Sequence, residues 1–148
     1  MTNAACMADD NTETALRQSS ERWLRWLQAD LVRRRGTPRS RLLGVWDALE
    51  DWFNSDHFSG SLLASGAAEL RGEPRHPGHA VVAAHREALR QLLVDLAEAA
   101  GAPDPVGLAA QLQVLVEGAI VAALVDREPA VARTGRTLTS LILATGAA

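Results

Sequence analysis

Histidine is the side chain best able to bind a metal or carry a proton at neutral pH, and three of the four in this chain crowd one stretch: His76, His79 and His85. A zinc site needs three or four ligands converging on one point, commonly as H-E-x-x-H on a helix or as cysteine pairs. The spacing does not supply that. His79 and His85 are six residues apart, on different sides of a helix, and His76 precedes Pro77 at the helix start. The expectation is therefore an exposed His76 and His79, a partly buried His85, and no metal. Serines are plentiful, but no G-x-S-x-G elbow, P-loop or dinucleotide fingerprint accompanies them. Gly60-Ser61 and Ser65-Gly66 read as close-packing pairs. Neither an enzyme nor a cofactor is expected.

Two other groups of side chains carry potential for binding. Arg33, Arg34, Arg35, Arg39 and Arg41 would suit phosphate, but they flank a helix C-terminus, where cations are favourable for a local reason. No aromatic residue is interleaved among them to stack on bases. The aromatic residues are more informative. Trp23, Trp26, Trp46, Trp52, Phe53 and Phe58 are the whole inventory, and all fall in the first 58 residues. Wide rings at one end of a helical domain and alanines elsewhere favour an apolar cavity beside the rings. Glu117 stands alone in the apolar run Val114 to Val125, so its carboxylate must meet an arginine, meet a ligand or reach solvent at the edge. The edge is the expected outcome.

The chain of 148 residues and 15.8 kDa fits one domain with a real core. Hydrophobic residues make up 47%, which excludes wholesale disorder, and a net charge of -3 gives no global attraction to nucleic acid or anionic membrane. The single cysteine, Cys6, forms no intrachain disulfide, and the first residues have no apolar core of a signal peptide. A cytoplasmic protein without a membrane span is expected.

Residues 1–11 are small and polar and read as a disordered tail; residues 12–148 read as one helical domain. Leu16, Trp23, Leu27 and Leu31 share a stripe that ends at Arg33-Arg34-Arg35-Gly36. Thr37-Pro38 restarts a helix bearing Leu42, Val45, Trp46, Leu49, Trp52 and Phe53. A short helix is expected at about 61–71, and a long one from Pro77 to Ala100. Asp104-Pro105 opens a helix with Leu108, Leu112, Leu115, Val116, Ala119 and Ala123, and Glu128-Pro129 opens the last, with Val131, Leu138, Leu141 and Ile142. Nothing alternates with a period of two, so the prediction is an all-α, six-helix antiparallel bundle.

Several stretches carry a resemblance to a known family: Glu21 to Leu27, Arg41-Leu42-Leu43 through Phe53, Phe58 to Leu70, His76-Pro77 to His85-Arg86, and Leu115 to Ala119. Their order resembles the C-terminal regulatory domain of TetR-type transcriptional regulators over about residues 14 to 145. The resemblance implies a homodimer through the last two helices and an effector pocket of variable chemistry among the earlier ones. It also implies a DNA-reading domain ahead of Thr14, where this sequence has a short polar tail, so the chain alone is not expected to bind DNA. The chain is thus read as a ligand-sensing, homodimerising domain. The alternative is a structural partner that pairs with full-length regulators without binding a ligand.

Two sets of residues follow. The stripes place Trp23, Trp46, Phe53, Phe58, Leu62, Leu89 and Leu115 around a small apolar ligand, with His85, one turn before Leu89, and Glu117 as polar contacts. The segment from Glu117 to Ala123 is apolar on most faces and needs cover on most faces, so Gly118, Val121, Ala122, Val125, Leu138, Leu141 and Ile142 are expected at a seam between two copies.

Overall fold

The computed structural model describes residues 3–58, 66 and 70–146; among them are five α-helices and one 3-10 turn, and no strand. Helix α1 spans Asn3–Arg33, α2 Pro38–Phe53, α3 Gly78–Ala99, α4 Pro105–Asp126 and α5 Val131–Thr145, with the 3-10 turn at Leu70–Gly72. The all-helical class is as the periodicity indicates. The count of six is not reached among the described residues, because the short helix expected at 61–71 falls mostly outside them. Helix α1 also begins earlier than Thr12, taking in much of the segment read as a tail.

Local chemistry sets the helix boundaries. Thr37 caps α2, its hydroxyl accepting from the Ser40 N–H, with Pro38 in the first turn, where a missing N–H costs nothing. Asp104 caps α4 in the same way, accepting from Gly107 N at 2.9 Å. Gly101, at φ 77°, turns the chain out of α3. At the end of α1, Asp30 is almost fully buried and is held by Arg33 and Arg34; Arg34 reaches on to Asp51 of α2 at 2.5 Å. The arginines expected to quiet a helix terminus therefore also clamp α1 to α2.

Helix α3 lies at the centre, packed on α1, α2 and α4, while α5 folds back onto α2 and α4. One core joins Leu27 and Leu31 of α1, Leu42 to Phe53 of α2, Leu89 to Ala97 of α3, and Leu108 to Ala123 of α4. A smaller one joins Leu16, Leu70 and Val81, against which Gly66 packs through Leu16 and Val82.

The contact of α2 with α5 is the tightest. The Trp46 ring lies flat against Gly135, where any β-carbon would clash, 2.2–2.5 Å from three ring carbons. Its Nε1–H donates to Thr139 Oγ1 at 2.8 Å, and that hydroxyl donates to the Gly135 carbonyl at 2.9 Å. Arg133 to Glu50 at 2.7 Å and Arg136 to Asp47 at 3.1 Å flank the contact as surface pairs of small individual weight. Gly135→Ala should therefore push the buried indole off its seat and destabilise the fold by about 1–3 kcal/mol, the usual range for overpacking. Urea denaturation measures this. A variant as stable as the parent would show that the close approach is not required.

Candidate functional site

Helix α1 places Ser20, Trp23 and Trp26 three residues apart on one side, facing the end of α2 and the first half of α3. The C-terminal end of α2 supplies Trp52 and Phe53, and Phe58 follows in the turn beyond it. Trp23 and Trp52 meet edge-on with centroids 5.7 Å apart, and Trp26 lies 6.1 Å from Trp23 and 5.9 Å from Trp52. Phe58 stands at 82° to Trp52 at 4.9 Å and lies 5.0 Å from Phe53. Edge-to-face and tilted contacts of this kind set the positive ring edge of one against the negative face of the next. Phe53 is buried; Trp23, Trp26, Trp52 and Phe58 are each half-buried, so the cluster reaches the surface.

Polar atoms border this cluster on the α3 side. His85 lies 5.4 Å from the Trp23 ring, and its Nδ1 is 2.8 Å from Ser20 Oγ, with both residues buried. Burial holds the His85 imidazole below its ordinary pKa of 6.5, and the nearby Glu117 charge pulls it partly back. The ring is therefore neutral at physiological pH. Glu117 is engaged elsewhere: Arg86 grips both of its oxygens, at 2.8 and 3.2 Å, and Gln113 Nε2 donates to Oε1 at 3.2 Å. The same Gln113 nitrogen also donates to the Arg86 carbonyl at 3.0 Å, tying α4 to α3. Among the described residues one buried side-chain donor is left over. Trp23 Nε1 is shut off from solvent and has no hydrogen-bond partner among the described residues.

The structure thus brings Trp23, Phe53, Phe58 and His85 together, with Glu117 behind His85. Trp46 is not with them; it is fully buried two turns back along α2, against α5. Leu89 is fully buried in the main core and Leu115 lies half-buried beside it, while Leu62 is outside the described residues. Glu117 meets an arginine rather than only the solvent edge, and His76 is buried, its Nδ1 accepting from Gly78 N at the start of α3. His79 is exposed, its Nε2 3.0 Å from the Glu73 carbonyl oxygen. Trp26, Trp52, Ser20, Gln113 and Arg86 join the site although the sequence reading did not select them. The i, i+3 repeat Ser20-Trp23-Trp26 was the available signal for two of them.

Helices α4 and α5 present a second surface. Val114, Gly118, Val121 and Val125 form one exposed stripe along α4, with Val121 49% and Val125 72% exposed. Leu138 and Leu141 of α5 are exposed to 40% and 56%, with Ala122 and Ile142 half-buried. By length and composition alone α4 would also pass for a membrane span, yet α3 and α5 bury nearly half of it.

No protein-family model matches the chain, and no curated protein matches it significantly. Among solved structures the chain is similar to a TetR-family transcriptional regulator from Streptomyces coelicolor. The TM-score is 0.72 at 22% identity, over 87% of this chain and 69% of that one. The fold is TetR-like.

A buried neutral histidine has a measurable consequence. The unfolded chain binds a proton at His85 near the ordinary value, and the folded chain resists it to lower pH, so the stability is complete above that value and falls as pH drops below it. The fall in melting temperature between roughly pH 7 and pH 5 should be smaller in His85→Gln, which has no proton to take up there. Parallel pH profiles for the two proteins would show that His85 is not held neutral by burial.

Proposed function

We propose that the chain is the regulatory domain of a TetR-like transcriptional regulator, sensing a small apolar ligand at the aromatic cluster and pairing with a second copy through α4 and α5. The observation that carries this reading is the TetR-like fold with an exposed apolar stripe on its last two helices. Large apolar side chains are left in water on a folded surface mainly where a partner covers them. Gly118, in the middle of the stripe, lets a second helix approach closely. The ligand reading draws support from the half-buried rings around His85 and from the buried indole N–H that no described residue satisfies. A neutral imidazole and an aromatic wall suit an uncharged molecule.

The Ser20–His85 pair is structural in this reading rather than a nucleophile and its base. The hydroxyl is buried, and Glu117 is held by Arg86 and Gln113 instead of orienting the imidazole. The domain works in the cytoplasm without cofactor or metal and without reading DNA itself. A second reading, a partner that pairs with full-length regulators and binds no ligand, draws on the mutual contact of the rings, which is also what a filled core would show.

Sedimentation at micromolar concentration should give a dimer. The double variant Val121→Asp, Leu141→Asp should sediment as a folded monomer, because two charges per chain would be buried in an apolar seam. A parent monomer, or a double variant that still dimerises, would refute pairing through this face. In a gel shift the parent chain should show only weak binding to DNA that fades as salt rises. Sequence-specific retention at moderate salt would contradict the reading.

A further inference from the structure

The leftover donor in the aromatic cluster specifies what the ligand must carry. An indole has one N–H and no acceptor, so Trp23 has a single hydrogen bond to give. Leaving that donor buried and unmet costs on the order of 1–3 kcal/mol, and native structures rarely tolerate it. Among the described residues its polar neighbours do not relieve it: Ser20 and His85 Nδ1 satisfy each other, and Glu117 is committed to Arg86 and Gln113. We propose that the effector is an uncharged aromatic compound bearing a carbonyl or ether oxygen, and that the Trp23 indole N–H is the donor that reads this oxygen. This rests on the ligand-sensing reading above.

Each element of that description has its own cause. The partner must be an acceptor because the unmet group only donates. It must be uncharged because neither charge finds a free counter-ion: an anion would enter beside a neutral imidazole with Arg86 already gripping both Glu117 oxygens, and a cation would find that same carboxylate already paired. It must be aromatic because the walls are Trp26 and Trp52, whose centroids lie 5.7–6.1 Å from Trp23 and favour a further ring in tilted contact. Entry requires a ring to move aside. Phe58 is suited to this, since it lies beyond α2, outside any helix, and its ring is half-buried against Trp52 and Phe53.

The test uses the full chain labelled with nitrogen-15, in which the four indole N–H groups give separate signals. Acetophenone and ethylbenzene serve as matched probes, similar in shape and differing by the acceptor oxygen. Acetophenone is expected to move the Trp23 indole proton downfield and to bind about tenfold more tightly than ethylbenzene, a factor worth ~1.4 kcal/mol. Trp23→Phe, which keeps a ring and removes the N–H, is expected to erase that preference while retaining ethylbenzene binding. Equal affinity of the two probes for the parent chain, without a downfield shift, would overturn the acceptor assignment and leave the ligand-sensing reading standing. A preference that survives Trp23→Phe would overturn the role of Trp23. Failure of both probes to bind the parent chain would overturn the site itself. The indole shift in the parent chain decides the matter even if the variant folds poorly.

Discussion

Helix α4 is apolar around most of its circumference, and one chain of this size cannot cover all of it. Helix α3 buries one side, and α5, folding back after the left-handed turn at Arg127, buries a second. The third side keeps Val114, Gly118, Val121 and Val125 in solvent. An ordinary surface helix confines its apolar residues to one stripe. This one has enough for two, and the excess joins the exposed leucines of α5 in one face. The arrangement of the other helices follows from that allocation: α3 must be central to serve both the core and α4, and α1 and α2 are left to enclose its opposite side.

The Trp46 contact lies between the aromatic cluster and the exposed face of the last two helices. By fixing α5 to α2 through the Gly135 seat and the Thr139 hydroxyl, it holds the exposed stripe of α5 beside that of α4. The aromatic site lies two turns further along α2, about 10 Å by helix rise, and shares no residue with that face. The connection between them runs through α3 and α4, where Arg86, Gln113 and Glu117 join the neighbourhood of His85 to the helix that carries the stripe.

Much of this was legible in the sequence because it is local. Thr37-Pro38 and Asp104-Pro105 announced helix starts, and the caps form as their chemistry requires. The inward stripes of α1 to α4 were visible as 3.6-residue periodicity. The same periodicity groups Trp46 with Phe53: seven residues apart, they share a face of α2, and a stripe says which way a side chain points but not how far along the bundle it acts. The partners of His76, His85 and Glu117 were not legible. Ser20 and His85 are 65 residues apart, and Arg86 and Glu117 are 31 apart, so only the packing of α3 against α1 and α4 makes them neighbours. The segment around 61–71 offers small residues without a strong stripe, and its reading as a short helix stays an expectation.

The central claim, that the apolar face of α4 and α5 is covered by a second copy, is tested most directly by hydroxyl-radical footprinting of the intact protein at micromolar concentration. Val32 of α1 and Val106 in the first turn of α4, 74% and 57% exposed and outside the stripe of Val114, Gly118, Val121 and Val125, calibrate the reactivity of a free side chain. The account predicts that Val121, Val125, Leu138 and Leu141 oxidise several-fold more slowly than their exposure in the single chain implies, and regain full reactivity when the protein is diluted to the monomer. Oxidation of these four at the rate set by Val32 and Val106, independent of concentration, would contradict it.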